Sequence, residues 1–249
     1  MDSGLYAAYT GLLSRTQALE TAANNLANVN TNGFRAQQDY FRGVMANLSA
    51  PSDSDLGNAV NQFGVLGGSR LDLAQGQITA TGNPLDLALD GNGFFQIKTA
   101  HGVQLTRDGA FLRASDGTLT TQHGEPVLNT AGASIVIPSG SVHVASGGEI
   151  SVTLPDGTSA IASALGIVNY AADDLSAVGA NRFTTRDGAK ALKADAIVDA
   201  GALEGANQDA VHGTVQLMLV QRQAEMMQKA LNVFHNDFDK TATEDLGRV

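Results

Sequence analysis

The sequence predicts an α+β protein: a long helix at each end and a Gly-rich all-β domain, of sandwich or barrel-like type, between them. Three observations carry this. Apolar residues recur at three- and four-residue steps near both termini, short β-prone runs broken by turn pairs fill the middle, and Gly makes up 28 of 249 residues while aromatics are only 5 %.

In the N-terminal segment, Leu5, Tyr9, Leu12, Thr16, Leu19, Ala23 and Leu26 step alternately by four and three, with Thr16 the one polar intruder. In the C-terminal segment, Leu217, Val220, Ala224, Met227, Leu231, Phe234 and Phe238 step alternately by three and four. Each pattern covers about 22 residues, or roughly 33 Å of helix at about 1.5 Å per residue. Asn207 or Asp209 is placed to cap the second helix, and Gly213 falls inside it. The same spacing also marks ordinary helices that face a core. What favours mutual pairing as an α-helical coiled coil is that the middle offers no comparable helical pattern to pack on.

The middle alternates strands and turns. Leu85 to Leu89 alternates, Asp90-Gly91-Asn92-Gly93 turns, and Phe94 to Ile97 is the next strand. Further turns are expected at Arg107-Asp108-Gly109, Ser115-Asp116-Gly117, His123 to Pro126, Pro155-Asp156-Gly157 and Arg186-Asp187-Gly188. Thr106-Arg107-Asp108-Gly109-Ala110 recurs as Thr185-Arg186-Asp187-Gly188-Ala189, which is read as one hairpin solution used twice. The expected organisation is an N-terminal helix in 1–46, a linker or extended arm in 47–67, the β domain in 68–202 and the C-terminal helix in 203–249.

Chemistry-bearing patterns are scarce. The absence of Cys excludes disulfides, thiolate nucleophiles and Cys-ligated metals. The five His residues (101, 123, 143, 212 and 235) show no ligand spacing, and Gly91-Asn92-Gly93 lacks the third Gly and following helix of a dinucleotide loop. Asp53-Ser54-Asp55 lacks the closing Glu of a calcium loop. No catalytic residue, metal site or cofactor is nominated. A net charge of −10 argues against nucleic acid as a partner. The longest mostly apolar stretch, 160–172, is too short and too interrupted for stable membrane insertion. The opening residues lack the basic and apolar regions of a cleaved secretory signal.

Five Asn fall within nine residues: Asn24, Asn25, Asn28, Asn30 and Asn32, followed by Gly33 and Phe34. Asn30 to Gly33 should end the helix. The run is either a frayed helix end or a row of amides available to neighbouring chains. The stretch from Ala23 to Arg35 closely resembles the N-terminal signature of the bacterial flagellar axial proteins, the rod and hook subunits. Gln75-Gly76, the run from Thr81 to Phe95, Thr106 to Phe111, Leu203 to Asn207 and Gln221 to Met226 resemble the family's further motifs, in the same order.

The resemblance implies terminal helices paired in an inner coiled-coil layer, with the β domain outside. It implies a structural, non-enzymatic subunit of the basal-body rod, assembled helically into a drive shaft that transmits torque. The best likeness is the proximal-rod subunit next to the distal rod, and the alternative is a distal-rod or other axial subunit. It implies other rod subunits and the flagellar export apparatus as partners, with type III export and no cleaved signal. Assembly would use Leu5, Leu12, Leu19, Leu26, Leu217, Val220, Met227, Leu231 and Phe234. Subunit contact would use Asn24, Asn25, Asn28, Asn30, Asn32, Gly33 and Phe34.

Charge is distributed accordingly. Residues 1–50 balance three basic against three acidic residues, 203–249 hold four against seven, and the remaining −7 falls on the middle. A reading of another class, a carbohydrate-binding or hydrolytic β domain, calls for an aromatic platform or paired carboxylates, and the sequence offers neither clearly.

Overall fold

The computed structural model describes residues 2–42, 65–154, 157–179 and 181–246, with side chains over 9–40, 68–154, 157–179, 181–229 and 231–233. The expected linker at 47–67 therefore falls almost wholly outside the described residues. So do the acidic run at Asp53, and the side chains of Leu5, Phe234 and Phe238. The fold is α+β. Helix α1 spans Asp2–Ala27 and helix α2 spans Ala210–Leu246. No described helix is long and apolar enough to cross a membrane.

Between the helices run β1 (Gln37–Arg42), β2 (Val65–Leu71), β3 (Ile78–Ala80), β4 (Leu87–Asp90), β5 (Phe94–Thr99), β6 (Gly102–Thr106), β7 (Phe111–Arg113) and β8 (Leu119–Thr121). Then come β9 (Ser141–Val144), β10 (Glu149–Thr153), β11 (Ser159–Ala164), β12 (Ile167–Val168), β13 (Leu175–Gly179), β14 (Arg182–Thr185), β15 (Ile197–Ala200) and β16 (Ala202–Glu204).

The chain divides into two compact units. The first contains α1, the segment Gln37–Ser69 and α2; the second contains Asn28–Ala36 and Arg70–Asp209. In the first unit α1 and α2 pack on each other, and α1 also carries β1.

The second unit is the β body. A five-stranded sheet has the order β12-β5-β6-β14-β13, and a three-stranded sheet has the order β11-β10-β9. Ladders β15-β4, β16-β3 and β7-β8 complete it. Alternation along β5 explains the layering, because successive strand side chains point to opposite faces. Phe95 and Ile97 enter a cluster with Leu87, Leu89, Phe111, Leu119, Val127, Ile135, Ile137, Ile150 and Val152. Phe94 enters a second cluster with Leu71, Leu105, Leu175 and Phe183. Edge-on ring contacts sit in each: Phe95 on Phe111 at 5.1 Å, and Phe94 on Phe183 at 5.4 Å.

The run from Thr81 to Asp86 is held by its own polar side chains. Thr81 Oγ1 donates to Asp86 Oδ2 at 2.7 Å and Asn83 Nδ2 donates to Asp86 Oδ1 at 2.9 Å. The Asp86 carbonyl accepts the Gly201 amide at 2.8 Å, which ties this loop to the turn before β16.

Candidate assembly surface and buried charge cluster

On α1 the deepest side chains are Ser14, Ala18, Ala22 and Asn25, each less than a tenth exposed. Leu12, Leu19 and Leu26 flank them, half-buried, while Tyr9, Thr16 and Ala23 are exposed. The inward stripe thus lies one to two residues from the leucine seam and is lined by small residues. Small residues let helix axes approach closely. A Cβ placed on Gly11 would lie 3.3 Å from Met227 Cε, so the two helices meet there with little room. On α2, Val220 and Ala224 are buried, Leu217, Met227 and Leu231 are half-buried, and Gly213 is buried on the same side.

Large apolar side chains remain outside. Val211, Val215, Met218, Leu219, Met226 and Val233 on α2, with Tyr9 and Leu13 on α1, are all about half exposed or more. Val211, Val215 and Met218 step by four and three, and Leu219, Met226 and Val233 by seven, so they form a row along the helix.

The Asn-rich segment divides between two uses. Asn24 and Asn30 are exposed. Asn25 is buried and pairs with the backbone at the start of β1: its Nδ2 donates to the Gln37 carbonyl at 2.8 Å, and its Oδ1 accepts the Gln37 amide at 2.9 Å. The side-chain amide thereby acts as one rung of a strand. Thr21 Oγ1 donates to Asp39 Oδ1 at 3.1 Å, and burial nonetheless raises the Asp39 carboxyl above its usual range.

The other residues of the segment belong to the β body. Asn28 closes the turn after α1, accepting from Thr31 Oγ1 at 3.3 Å. The Asn32 carbonyl accepts Asn181 Nδ2 at 2.6 Å, and Asn181 itself takes a left-handed conformation with φ 55°. Gly33 has φ 65°, and a Cβ there would lie 2.3 Å from the Arg107 carbonyl carbon. Only Gly meets both requirements. The Phe34 side chain is buried, and its carbonyl accepts the Asn207 amide at 3.3 Å. Asn207 Oδ1 accepts the Ala36 amide at 2.8 Å, and its Nδ2 donates to the Asp72 carbonyl at 2.9 Å. Asn207, one of two residues expected to cap the helix, stands three residues before its start at Ala210 and serves instead as a clamp between two chain segments.

Beside these bonds lies a charge cluster without solvent contact. Glu204 Oε1 accepts Arg35 Nη2 at 2.7 Å, and both side chains are 0 % exposed. Glu204 Oε2 accepts Arg107 Nη1 at 3.0 Å. Arg107 also donates to the Leu89 carbonyl at 2.9 Å and to the Gly91 carbonyl, and its guanidinium lies 5.4 Å from the Phe94 ring centre. Burial pushes the Arg107 pKa down to about 10, against the pull of Glu204, and Arg35 adds repulsion. Oε1 also accepts the Gly76 amide at 2.8 Å, where a Cβ would lie 2.1 Å from the Gly205 carbonyl oxygen.

Arg35, Arg107 and Glu204 lie inside three of the family-like motifs, and the sequence alone assigns them no role. The available signal was that each stands one or two residues from a Gly in a different motif, yet all three end on one point. Among the described residues no group of three or more His, Asp or Glu side chains could hold a metal.

Comparison with known proteins defines the class to which this arrangement belongs. Residues 5–35 match the model of the flagella basal body rod protein, and residues 88–152 match that of the flagellar hook protein FlgE/F/G D1 domain. The chain is 32 % identical over 255 residues to the flagellar basal-body rod protein FlgF of Caulobacter vibrioides, covering 100 % of each. It is 30 % identical to FlgF of Rhizobium meliloti, covering 99 % of each. It is 34 % identical to the flagellar basal-body rod protein FlgG of Bacillus subtilis over 194 residues, 74 % of this chain and 73 % of that protein. The chain belongs to the flagellar basal-body rod proteins, a family of structural rod subunits.

Proposed function

We propose that the protein is a structural subunit of the flagellar basal-body rod that assembles helically with copies of itself and with neighbouring axial subunits. In this reading α1 and α2 pair as a coiled coil forming the inner layer. Leu12, Leu19 and Leu26, half-buried beside the small-residue stripe, would share that layer with Leu217, Val220, Met227 and Leu231. The β body, layered like a sandwich, sets lateral spacing. The observation that carries this reading is the exposed apolar row on α2, whose helical repeat suits a contact with another chain. A heterologous contact of this kind propagates without closing, which gives a helical shaft able to transmit torque.

Asn24 and Asn30 stand at exposed positions that a neighbouring subunit would meet, whereas Asn25, Asn32, Gly33 and Phe34 serve chiefly to hold the subunit together. The protein would reach the basal body through the flagellar export apparatus, without a cleaved signal, and work without cofactor or catalysis. The proximal-rod subunit is the preferred member, supported by end-to-end likeness to two proteins named FlgF; a distal-rod subunit is the alternative.

Rod incorporation in a motile host tests the reading. Met226→Asp, on the exposed row, should abolish incorporation while leaving the melting of the purified subunit unchanged. Leu19→Asp and Leu231→Asp, on the seam, should abolish it while the β body still folds. Normal rods from all three variants would overturn the proposal.

A further inference from the structure

We propose that Arg35, Glu204 and Arg107 form a latch that closes the β body, fastening the segment that enters it to the segment that leaves it, and completed only when Glu204 arrives. The inference stands apart from the assembly reading and rests on the β body alone.

Its first ground is what the latch joins. The Glu204 side chain accepts from Arg35, Arg107 and the Gly76 amide, and its backbone carbonyl accepts the Gly33 amide at 2.7 Å. The Arg35 contact spans 169 positions, and those to Gly76 and Arg107 span 128 and 97. The second ground is what does not join these segments. Neither apolar cluster of the body contains any residue of 28–36 or 203–209. Phe34 and Ala36 are buried outside those clusters, and the polar contacts on the two segments include the latch, the Asn207 clamp and the β16-β3 ladder.

The third ground is charge. Two guanidiniums and one carboxylate leave a single buried positive charge, which the Leu89 and Gly91 carbonyls and the Phe94 ring help to solvate. Without the carboxylate, two cations would share a dry site, and buried charge that loses its partner is strongly destabilising. A chain that ends before residue 204 leaves Arg35 and Arg107 in that condition. The latch thereby makes closure of the body depend on the arrival of residue 204.

Hydrogen exchange of the full-length protein, followed by mass spectrometry, tests this. Glu204→Gln keeps the side chain's shape and removes its charge. Exchange across 33–36, 76 and 204–207 should accelerate by roughly 100-fold, the scale expected for breaking a buried ion pair. Amides around Phe95, Ile97 and Ile150 should change little. Ile150→Ala, a cavity in the main cluster, should instead accelerate exchange throughout the body. Adding Arg35→Met to Glu204→Gln should restore part of the lost protection, because it removes one of two uncompensated cations. If Glu204→Gln yields no soluble protein, Glu204→Asp, which keeps the charge but shortens the reach, should accelerate exchange of the same segments by a smaller factor and leave the amides around Phe95, Ile97 and Ile150 little changed. Uniform acceleration in the Glu204 variant, or a double variant less protected than the single one, would overturn the latch.

Discussion

Gly33→Ala isolates the close approach on which the entry segment depends. Two costs are expected. A φ of 65° is unfavourable for any residue with a Cβ, costing about 1–2 kcal/mol. The added Cβ would also lie 2.3 Å from the Arg107 carbonyl carbon and 2.4 Å from the Asp108 nitrogen. Those atoms cannot give way freely, because the Arg107 side chain is anchored on Leu89, Gly91 and Glu204. Overpacking of this kind adds about 1–3 kcal/mol, for a total of roughly 2–5 kcal/mol. At about 2–4 °C per kcal/mol for a body of this size, the melting point should fall by roughly 10 °C.

Gly82→Ala supplies the comparison. Its φ is 78°, and a Cβ there meets nothing within 4 Å. It should show the conformational cost alone, about 1–2 kcal/mol. Calorimetry on the two variants gives the difference directly. Equal losses would refute the claim that the Arg107 backbone constrains position 33.

Asn25→Ala should leave the Gln37 amide and carbonyl without their side-chain partner, destabilising the helical unit by about 2 kcal/mol and speeding exchange of the Gln37 amide by roughly tenfold or more. Asp108 is held above its usual carboxyl range, chiefly by burial, partly offset by its bond from the Ala110 amide. An acid whose folded pKa is raised adds stability as pH falls through that pKa toward the ordinary 3.8, and loses it as pH rises. Asp108→Asn should therefore raise the melting point near neutrality and remove that increment on acidification, as melting curves across the acid range would show.

Much of the fold was legible because it rests on local rules. Seam spacing marks the helices, the Ser115 to Gly117 turn marks the β7-β8 hairpin, and the strand at Phe94 to Ile97 follows from its β-prone run after a turn. The two copies of the pentapeptide, expected as hairpins, instead join strands that do not pair with each other. The α1 stripe was less legible. Hydrophobicity singles out Leu12, Leu19 and Leu26, yet Ser14, Ala18 and Ala22 lie deepest. Helix packing rewards small size as well as apolar character, and a scan for apolar residues does not register small size.

The charge cluster was less legible still. Its members lie far apart in sequence, and nothing local to Arg35 says that its partner is Glu204. The repeated pentapeptide makes the same point. Arg107 is buried in its copy and Arg186 is exposed in the other. The next residue differs: Phe111 enters the main cluster, whereas Lys190 stays at the surface.

The helical unit turns small side chains inward and keeps many of its large ones outside. A pair of helices built this way has little apolar area to gain from its own closure and much to gain from being covered. Its stability is therefore borrowed from its surroundings. In dilute solution the pair should be among the first parts of the molecule to open; once covered, it would become one of the stiffest. The stiffness of such a shaft would then be a property of the crowd of helices rather than of any one subunit.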